Sequence, residues 1–365
     1  MSNRTRIYKV NGELFKAELL KQKNKLEKKM TKTLYVGIDV AKVKVDVAIT
    51  TDGKKIISSS TFNNNSEGFK KLTNLIKKYS NKTSKIHCCM ESTGIYHEEI
   101  AEFLQEQNFI VSVINPYQSK AFAGSQLLRT KNDKVDAMLL ASYCAISQPK
   151  ETVKIPEYVK KLRRLIRFLN TQISARTKEK IRLHSIKDDD VAHVLKGTIS
   201  FLSESIAQVE RLIKEHIKKY PELKHKVDLL KTIPGIGDKT ACEILAEIHI
   251  EDGQSINVKS QVAHAGLAPR EFQSGSSIKG KPRICRTGNA NLRKALYMPA
   301  MCAIQKNQLL SEFYHRLVAS GKIKMVALVA TMRKLLVIAI GVLRNDKPFD
   351  PNWAKIQQEK YLLCA

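Results

Sequence analysis

The stretch LYVGIDVAKVKVDVAIT, residues 34–50, decides the fold of the first half of the chain. Its first part predicts an apolar strand that carries one acid, Asp39. The segment KVDVAIT, at 44–50, predicts its hairpin partner, and KKIISSSTF, at 54–62, predicts a third strand. An ionised acid inside an apolar strand is costly unless it is paired or bound to a metal, so Asp39 is a candidate functional residue.

Strands alternate with helices beyond this hairpin. The spacing of apolar residues predicts helices over 66–79, 94–107 and 133–146. Two further strands are predicted at KIHCCMES, 85–92, and FIVSVINP, 109–116. Strands that first form a meander and then alternate with helices predict an α/β fold, in which a mixed sheet carries helices on its faces.

The second half of the chain predicts a mainly helical structure. Residues 151–228 predict two long, charged, amphipathic helices in a helical hairpin or coiled coil, with Pro221 ending the second. Beyond them, 229–248 predicts a helix, a tight turn and a helix, followed by a Gly/Ser/basic loop and another helix. The expected divisions are a basic N-terminal extension at 1–33, a catalytic domain at 34–150, a helical linker at 151–228, a C-terminal domain at 229–345 and a tail at 346–365.

The charge of the chain points to a polyanionic partner. Its 365 residues carry a formal net charge of +28 at pH 7, which fits nucleic acid better than a small substrate. An anionic membrane is the competing partner, but no run of about 18 uncharged apolar residues occurs. The nearest run, 325–343, contains Arg333 and Lys334 and predicts a buried helix. With no apolar signal core at the N-terminus, we expect a cytoplasmic, nucleoid-associated protein and no membrane partner.

Cysteine usage excludes two common architectures. The chain has seven cysteines, an odd number without a CxxC pair, which argues against a disulfide framework and against a zinc ribbon. His87, Cys88 and Cys89 resemble a metal cluster at first sight. Because they lie inside a predicted buried strand, we interpret them as small core residues.

Four acids are candidates for one metal site. Glu91 ends the fourth predicted strand, and Asp133 and Asp136 begin a helix that could pack over the same sheet edge as Asp39. Helix capping is the alternative role for Asp133 and Asp136. Four converging carboxylates would repel one another unless divalent cations lay between them, and oxygen ligands favour Mg²⁺ or Mn²⁺. In a strongly basic protein, this set predicts metal-dependent cleavage of a nucleic-acid backbone.

A glycine turn in the second half is a candidate phosphate site. IPGIGDKT, at 233–240, places Gly235 and Gly237 between two helices and just before Lys239. Backbone amides and a helix N-terminus could bind a phosphate there, as in a helix-hairpin-helix element. An ordinary glycine turn is the alternative.

A serine-rich basic segment follows at 270–294. It contains Ser274, Ser276 and Ser277, and the cations around them are candidates for nucleic-acid binding: Arg270, Lys279, Lys281, Arg283, Arg286 and Arg293. Serine is a poor nucleophile unless a base, a metal or nearby cations stabilise its alkoxide. From the residues alone, the segment predicts a flexible polar loop that binds a nucleic-acid backbone.

Several of these segments together resemble one protein family. YVGIDVAKVKVDVAI (35–49), MESTGIYHEEIAEFL (90–104) and LRTKNDKVDAMLLA (128–141) are similar to the three acidic blocks of the DEDD transposases of insertion sequences, the bridge-RNA-guided IS110 family. TIPGIGDKTACEILAEI (232–248) and the segment 264–300 resemble the C-terminal transposase domain of the same family. The order, spacing and joint presence of the blocks make the resemblance specific.

The resemblance implies a fold and a mechanism. The first domain would be RuvC-like, related to ribonuclease H, with Asp39, Glu91, Asp133 and Asp136 as the metal-binding tetrad. Ser274 would be the catalytic serine, attacking a DNA phosphate beside the metals to give a phosphoserine link and a free 3′-hydroxyl. The implied partners are the DNA of the element ends and target, a structured non-coding guide RNA, and further copies of the chain in a dimer or tetramer. A circular excised intermediate is also implied.

Three other functions stay open at this point. A stand-alone RuvC-like junction resolvase or nuclease would need the acids but not the serine. A sugar kinase of the actin-like superfamily is suggested by GIDVAK, but it needs a later Gly-Gly adenosine loop that the sequence lacks, and it leaves the charge unexplained. A non-catalytic nucleic-acid binding protein would keep its function without Asp39.

Overall fold

The chain divides into two compact units, Met1–Lys154 and Ile155–Ala365, called here the sheet unit and the helical unit. The computed structural model describes residues 33–81, 84–92, 94–126, 132–248, 257–274, 278–285 and 288–352. Nearly all of the basic extension expected at 1–33 lies outside the described residues, as does the end of the tail beyond 352.

The sheet unit contains one mixed, five-stranded sheet. Its strands are β1 Leu34–Val40, β2 Lys44–Thr50, β3 Ile56–Asn63, β4 Ile86–Glu91 and β5 Ile110–Ile114. They lie in the order β3-β2-β1-β4-β5. The first three strands form an antiparallel meander, whereas β1, β4 and β5 are parallel to one another. The α/β fold with a mixed sheet and flanking helices, predicted from the sequence, is confirmed.

Four described helices accompany this sheet. They are α1 Ser66–Tyr79, α2 Glu98–Glu106, α3 Pro116–Ser125 and α4 Asp133–Ser147. The helix predicted from residue 94 begins only at Glu98, because Gly94 has φ of 61° and belongs to a turn. Helix α3 was not predicted. Only Ser119 of its residues is buried, so it lacks an apolar stripe, and its start depends on a capping box between Asn115 and Gln118.

The two faces of the sheet pack differently. Val36 and Ile38 of β1 point to one face, where they join α1 and α2 in the main core of the unit. Gly37 and its neighbour Ala48 point to the other face, which α4 covers with small residues. Strand alternation therefore gives one thick apolar layer and one thin layer in which helix and sheet are in close contact.

The helical unit contains eight described helices and one hairpin of strands. Its helices are α5 Glu157–Ser185, α6 Asp189–Lys219, α7 Pro221–Lys231, α8 Asp238–Glu247, α9 Val258–His264, α10 Ala290–Lys306, α11 Gln308–Ala319 and α12 Lys324–Asn345. Helices α5 and α6 are the two long helices predicted within 151–228, and Pro221 begins the next helix. One hydrophobic cluster extends from Leu162 on α5 to Leu343 on α12. The expected linker helices thus share their core with the C-terminal helices.

The segment before α10 was expected to be a Gly/Ser/basic loop, and this prediction was wrong because its described part contains two strands. Its described residues form an antiparallel hairpin of β6 Pro269–Ser274 and β7 Ile278–Ile284. The strands are rich in polar and basic residues, so apolar alternation, the usual sequence signal of a strand, is weak. We call β6 and β7 the serine hairpin.

Helix α12 contains the apolar run expected to be a buried helix. By length and composition alone it could cross a membrane, but 56% of its most apolar stretch is buried inside the protein. Leu335, Leu336 and Ile340 are fully buried in the core of the helical unit. The helix therefore has a packing role that accounts for its hydrophobicity.

Candidate functional site

Helix α4 lies directly on the sheet because two strand residues are small. Gly37 on β1 and Ala48 on β2 are register partners. A Cβ atom at Gly37 would lie 2.1 Å from the carbonyl oxygen of Ala137 and 2.2 Å from the backbone nitrogen of Ala141. Only glycine permits this approach, which fixes α4 against β1 and β2.

The acids of the sheet unit gather beside this contact. Asp39 follows Gly37 by two residues, so its side chain points to the face that α4 covers. Asp46 is the register partner of Asp39 on β2 and points to the same face. Asp133 and Asp136 lie in the first turn of α4. Because Gly37 allows α4 to approach the sheet, Asp133 and Asp136 lie beside Asp39 and Asp46.

Glu91 reaches the same face from β4. It lies two residues beyond Cys89, which packs against Leu140 of α4. Its carboxylate accepts a hydrogen bond from the hydroxyl of Ser119, which is 3% exposed. Helix α3, missed in the sequence, therefore orients Glu91. We call Asp39, Asp46, Glu91, Asp133 and Asp136 the acid face.

The charges of the acid face act strongly on Asp39. Burial, together with the charges of Asp136, Asp133, Glu91 and Asp46, raises the pKa of Asp39 from 3.8 to about 6. The other three acids predicted from the sequence are therefore close enough to act on Asp39. An acid in this position is destabilised when it ionises, and a cation would relieve that cost.

Lys44 supplies one such positive charge. Its Nζ atom lies 2.7 Å from Oδ2 of Asp133 and 3.0 Å from Oδ2 of Asp46. These hydrogen bonds raise the pKa of Lys44 and lower the pKa of Asp133. The Asp46 carboxylate also accepts a hydrogen bond from Thr61 on β3. Sequence reasoning missed both Lys44 and Asp46, although Asp46, like Asp39, is an acid within an apolar strand.

Capping does not account for the acids of α4. Asn132 is the N-cap, and its side chain accepts a hydrogen bond from the backbone of Val135. Asp133 instead bonds to Lys44. Favourable interaction of Asp133 and Asp136 with the helix dipole remains, because both lie in the first turn.

The acid face suits a divalent cation in donor type and charge. Its ligands are all carboxylate oxygens, which Mg²⁺ and Mn²⁺ prefer, and the ammonium group of Lys44 already acts as a cation between two of them. Within the described part of the chain, no three Asp, Glu, His or Cys side chains are arranged so as to hold a metal ion as they stand. Closure around an ion therefore requires side-chain rotation.

The other suspected cluster is part of the core. His87 is 7% exposed, and Cys88 and Cys89 are fully buried. His87 bonds through Nε2 to the hydroxyl of Ser112, 2.8 Å away. The interpretation of these residues as core residues is confirmed.

The serine hairpin carries the predicted basic residues on a defined backbone. Ser274 ends β6, with Ile278 of β7 as its register partner, while its side chain lies outside the described part of the structure. Arg270 and Arg283 are register partners and are both exposed. Ser276, Ser277 and Arg286 lie outside the described residues, and so do the side chains of Lys279 and Lys281.

Arg293 has a structural position at the base of this hairpin. Its Nη1 atom donates hydrogen bonds to the carbonyl oxygens of Ala265, 3.1 Å away, and Gly288, 3.0 Å away. These two residues lie on the chain segments that enter and leave the hairpin. Arg293, predicted to bind nucleic acid, is thus engaged by the protein backbone.

An ion pair between the buried acid Glu247 and the partly exposed Arg167 completes the base. Glu247, 5% exposed, accepts hydrogen bonds from Nε and Nη2 of Arg167, both at 2.9 Å, and from Nδ2 of Asn289 at 2.7 Å. Burial acts against the charge of Glu247, but these hydrogen bonds hold its pKa below the usual value. We call Glu247, Arg167 and Asn289 the hairpin clamp. Sequence reasoning missed it, because a buried acid on a helix has no distinctive local pattern.

The glycine turn is explained largely by packing. Gly235 has φ of 105°, and a Cβ atom there would lie 2.7 Å from Cβ of Ala303 on α10. Gly237 is the N-cap of α8 and has open space around its Cα. Asp238, the first residue of α8, forms an ion pair of 2.7 Å with Lys231, and Lys239 is exposed. The conformation and packing of Gly235 thus agree with an ordinary glycine turn, while Gly237 and Lys239 remain candidates for phosphate binding.

Comparison with known proteins yields two family matches. A model described as a DEDD transposase of the IS110 type matches residues 36–188. A second model, described as transposase of the IS116/IS110/IS902 family, matches residues 227–315. The matches cover the acid face and the serine hairpin, respectively.

Individual relatives agree with these models. The pilin gene-inverting protein of Moraxella bovis is 37% identical over 330 residues, which cover 88% of this chain and 98% of that protein. The protein of the same name from Moraxella lacunata has the same identity and coverage. An uncharacterized 43.6 kDa protein of the insertion element IS110, from Streptomyces coelicolor, is 28% identical over 157 residues, 41% of this chain and 38% of that protein.

Fold and site together define a class of protein. A mixed sheet of the RuvC and ribonuclease H-like type, with an acid on each of several elements, belongs to an enzyme that acts on DNA. Within that class, the chain belongs to the IS116/IS110/IS902 family of transposases.

Proposed function

We propose that this transposase cuts and rejoins DNA at a divalent-metal site formed by Asp39, Glu91, Asp133 and Asp136. The observation that carries the proposal is the convergence of these acids on the sheet face beneath α4, where burial and then the charges of the other acids raise the pKa of Asp39 to about 6. Such a group of carboxylates is unfavourable alone and favourable around Mg²⁺ or Mn²⁺. Family members of the DEDD type depend in general on divalent metals.

The protein residues would prepare the site as follows. Asp39 and Glu91 are held on neighbouring strands, and Ser119 orients Glu91. Asp133 and Asp136 approach on the first turn of α4, which Gly37 holds against the sheet. A bound divalent cation would supply Lewis-acid stabilisation of charge on the scissile phosphate.

Ser274 is proposed as the nucleophile. Its Oγ would form a bond to phosphorus while the bond from phosphorus to the 3′-oxygen breaks. The serine loses its proton and the departing 3′-oxygen gains one, which leaves a phosphoserine link and a free 3′-hydroxyl. Reversal by another 3′-hydroxyl would rejoin the strands. Arg270 and Arg283, exposed on the same hairpin, would bind backbone phosphates near the serine.

The partners follow from charge and family. The net charge of +28 suits DNA of the element ends and target together with a structured non-coding guide RNA. Action on two DNA ends at once requires a dimer or tetramer, and the long α5–α6 hairpin is the proposed assembly element as a coiled coil. Binding to chromosomal DNA would make the protein nucleoid-associated.

DNA inversion is a second candidate outcome of the same chemistry. The two Moraxella relatives are named for inversion of a pilin gene and match almost their whole length to this chain. Excision and inversion differ in how the DNA sites are oriented, not in the bonds that are broken. Recombination of one substrate with sites in direct and in inverted orientation separates them.

The decisive experiment traps a covalent protein–DNA adduct in the presence of Mg²⁺ and maps the linked residue. We expect the link at Ser274, its loss in Ser274→Ala and in Asp39→Asn, and its retention in Ser276→Ala and Ser277→Ala. Cleavage that persists in Ser274→Ala without an adduct would instead indicate a resolvase or nuclease. DNA binding and recombination that persist in Asp39→Asn would contradict the metal site.

A further inference from the structure

Lys44 occupies the position of a cation within the acid face. It begins β2, and its Nζ atom contacts Asp133 at 2.7 Å and Asp46 at 3.0 Å. One of these carboxylates, Asp133, is a proposed metal ligand. The ammonium group therefore neutralises an acid that the proposed function assigns to a metal ion.

The contact is part of the fold of the hairpin. Lys44 and Asp46 lie two residues apart on β2, so both side chains point to the face beneath α4. Asp46 is 3% exposed and is also held by Thr61 of β3, which makes it a fixed anchor for the ammonium group. The Asp133 side chain, 54% exposed, is the partner that has room to rotate.

We propose that Lys44 is a built-in substitute for the metal ion, holding Asp133 in the metal-free protein and releasing it when a divalent cation binds. The proposal rests on the proposed function, since it takes Asp133 as a ligand. An ammonium group and a divalent cation on one carboxylate repel each other at a separation of a few ångströms. Metal binding therefore has to displace Lys44 from Asp133, and Lys44 lowers the affinity of the site.

The arrangement has a structural consequence. In the described residues, the acids are not closed around a common centre, and the bond from Lys44 keeps Asp133 with Asp46. After release, the ion pair with buried Asp46 keeps Lys44 beside the site. Its charge would then face the phosphate backbone of the DNA that enters with the metal. Lys44 would thus weaken metal binding in the absence of DNA and attract DNA once the metal is bound.

The test measures Mn²⁺ binding to the full chain by calorimetry, without DNA. It compares wild type with Lys44→Met, with Asp136→Asn, which removes a proposed ligand that does not touch Lys44, and with Lys54→Met. The last variant removes the same charge from an exposed position between β2 and β3. We expect Lys44→Met to bind Mn²⁺ on the order of tenfold more tightly, Lys54→Met to bind like wild type, and Asp136→Asn to bind much more weakly.

A second readout is independent of affinity. Without metal, Lys44→Met should have a lower Tm than Lys54→Met, because the acid face loses its counter-charge. Saturating Mn²⁺ should then raise the Tm of Lys44→Met by more than that of wild type.

The outcomes separate the two proposals. If Asp136→Asn weakens Mn²⁺ binding while Lys44→Met binds as wild type does or more weakly, the acids hold a metal but Lys44 is no substitute for it. If Asp136→Asn leaves binding unchanged, the metal site itself is wrong and the role of Lys44 falls with it.

Discussion

The acid face and the serine hairpin hold their functional groups in different ways. The acids are positioned by backbone register and by the contact between Gly37 and α4, so their repulsion cannot push them apart. Among its described residues, the serine hairpin is held at its base by the clamp of Glu247, Arg167 and Asn289 and by the hydrogen bonds of Arg293. Groups that repel one another need a rigid backbone, whereas a segment that must meet a large polyanion needs a firm base and an accessible surface.

The largest expected effect comes from disrupting the contact between Gly37 and α4, which positions the acid face. In Gly37→Val, the new side chain would collide with the backbone of α4 at Ala137. We expect a loss of at least about 3 kcal/mol in the free energy of unfolding, with loss of DNA cleavage. Gly37→Ala and Gly124→Ala form a matched pair, since a Cβ at Gly124 would meet no atom within 4 Å. In urea unfolding, Gly37→Ala should be destabilising, while Gly124→Ala should be neutral or slightly stabilising because alanine is the better helix former.

Glu247→Ala tests the hairpin clamp, which holds the base of the serine hairpin. Removal of this buried acid leaves Arg167 and Asn289 without their shared partner, which should cost about 2–3 kcal/mol. Because the clamp holds the hairpin base, formation of the covalent DNA adduct should fall further than DNA binding. Glu215→Ala, at an exposed position of α6, should change neither. Equal losses in binding and adduct formation would argue against a specific role for the clamp.

The pH dependence of stability sharpens the account of the acid face. The pKa of Asp39 is about 6 in the folded protein, compared with 3.8 for a free carboxyl. As the pH rises between these two values, ionisation of Asp39 therefore lowers the free energy of unfolding. Asp39→Asn should therefore stabilise the metal-free protein by about 1–2 kcal/mol at neutral pH and have little effect below about pH 4. Thermal unfolding across this pH range measures it.

Asp52→Asn is the control for that measurement. Hydrogen bonds from the backbone amides of Lys55 and Lys54 lower the pKa of Asp52, so its ionised form is favoured by folding. Its replacement should reduce stability at neutral pH, opposite in sign to Asp39→Asn. The same sign for both variants would mean that the acid face does not strain Asp39.

The smallest effect is expected on the surface of the hairpin. Arg270→Gln removes one exposed cation and should weaken DNA binding a few-fold, with the slope of log affinity against log salt reduced by about one. Fluorescence anisotropy over a range of salt concentrations gives both values. Lys54→Gln, in the sheet unit, should leave the slope unchanged; an equal change would mean that only net charge matters.

Much of the sheet unit could be predicted from the sequence because its signals are local. The apolar strands around Asp39 and Glu91 and the helix that begins at Asp133 follow from short patterns of apolar residues. Helix α3 was missed because it lacks an apolar stripe, its single buried residue being Ser119, although Pro116 and the capping box of Asn115 and Gln118 are local signals of a helix start. Asp46 and Lys44 were missed because their importance follows from cross-strand register and from the position of α4, which are not local.

The serine hairpin shows the complementary limit. Its strands carry few apolar residues, so periodicity could not distinguish them from a loop. The clamp joins α5, α8 and the segment before α10, which are far apart along the chain. Resemblance to a family indicated that Ser274 matters, while the tertiary contacts that support its hairpin appear only in the folded structure.

The most direct test of the central claim is a crystal structure of the protein grown with Mn²⁺, with anomalous scattering recorded. We predict anomalous peaks bounded by carboxylate oxygens of Asp39, Glu91, Asp133 and Asp136, with Asp133 turned away from Lys44. Saturating Mn²⁺ with no peak at the acid face, or with the ion bound elsewhere, would contradict the account.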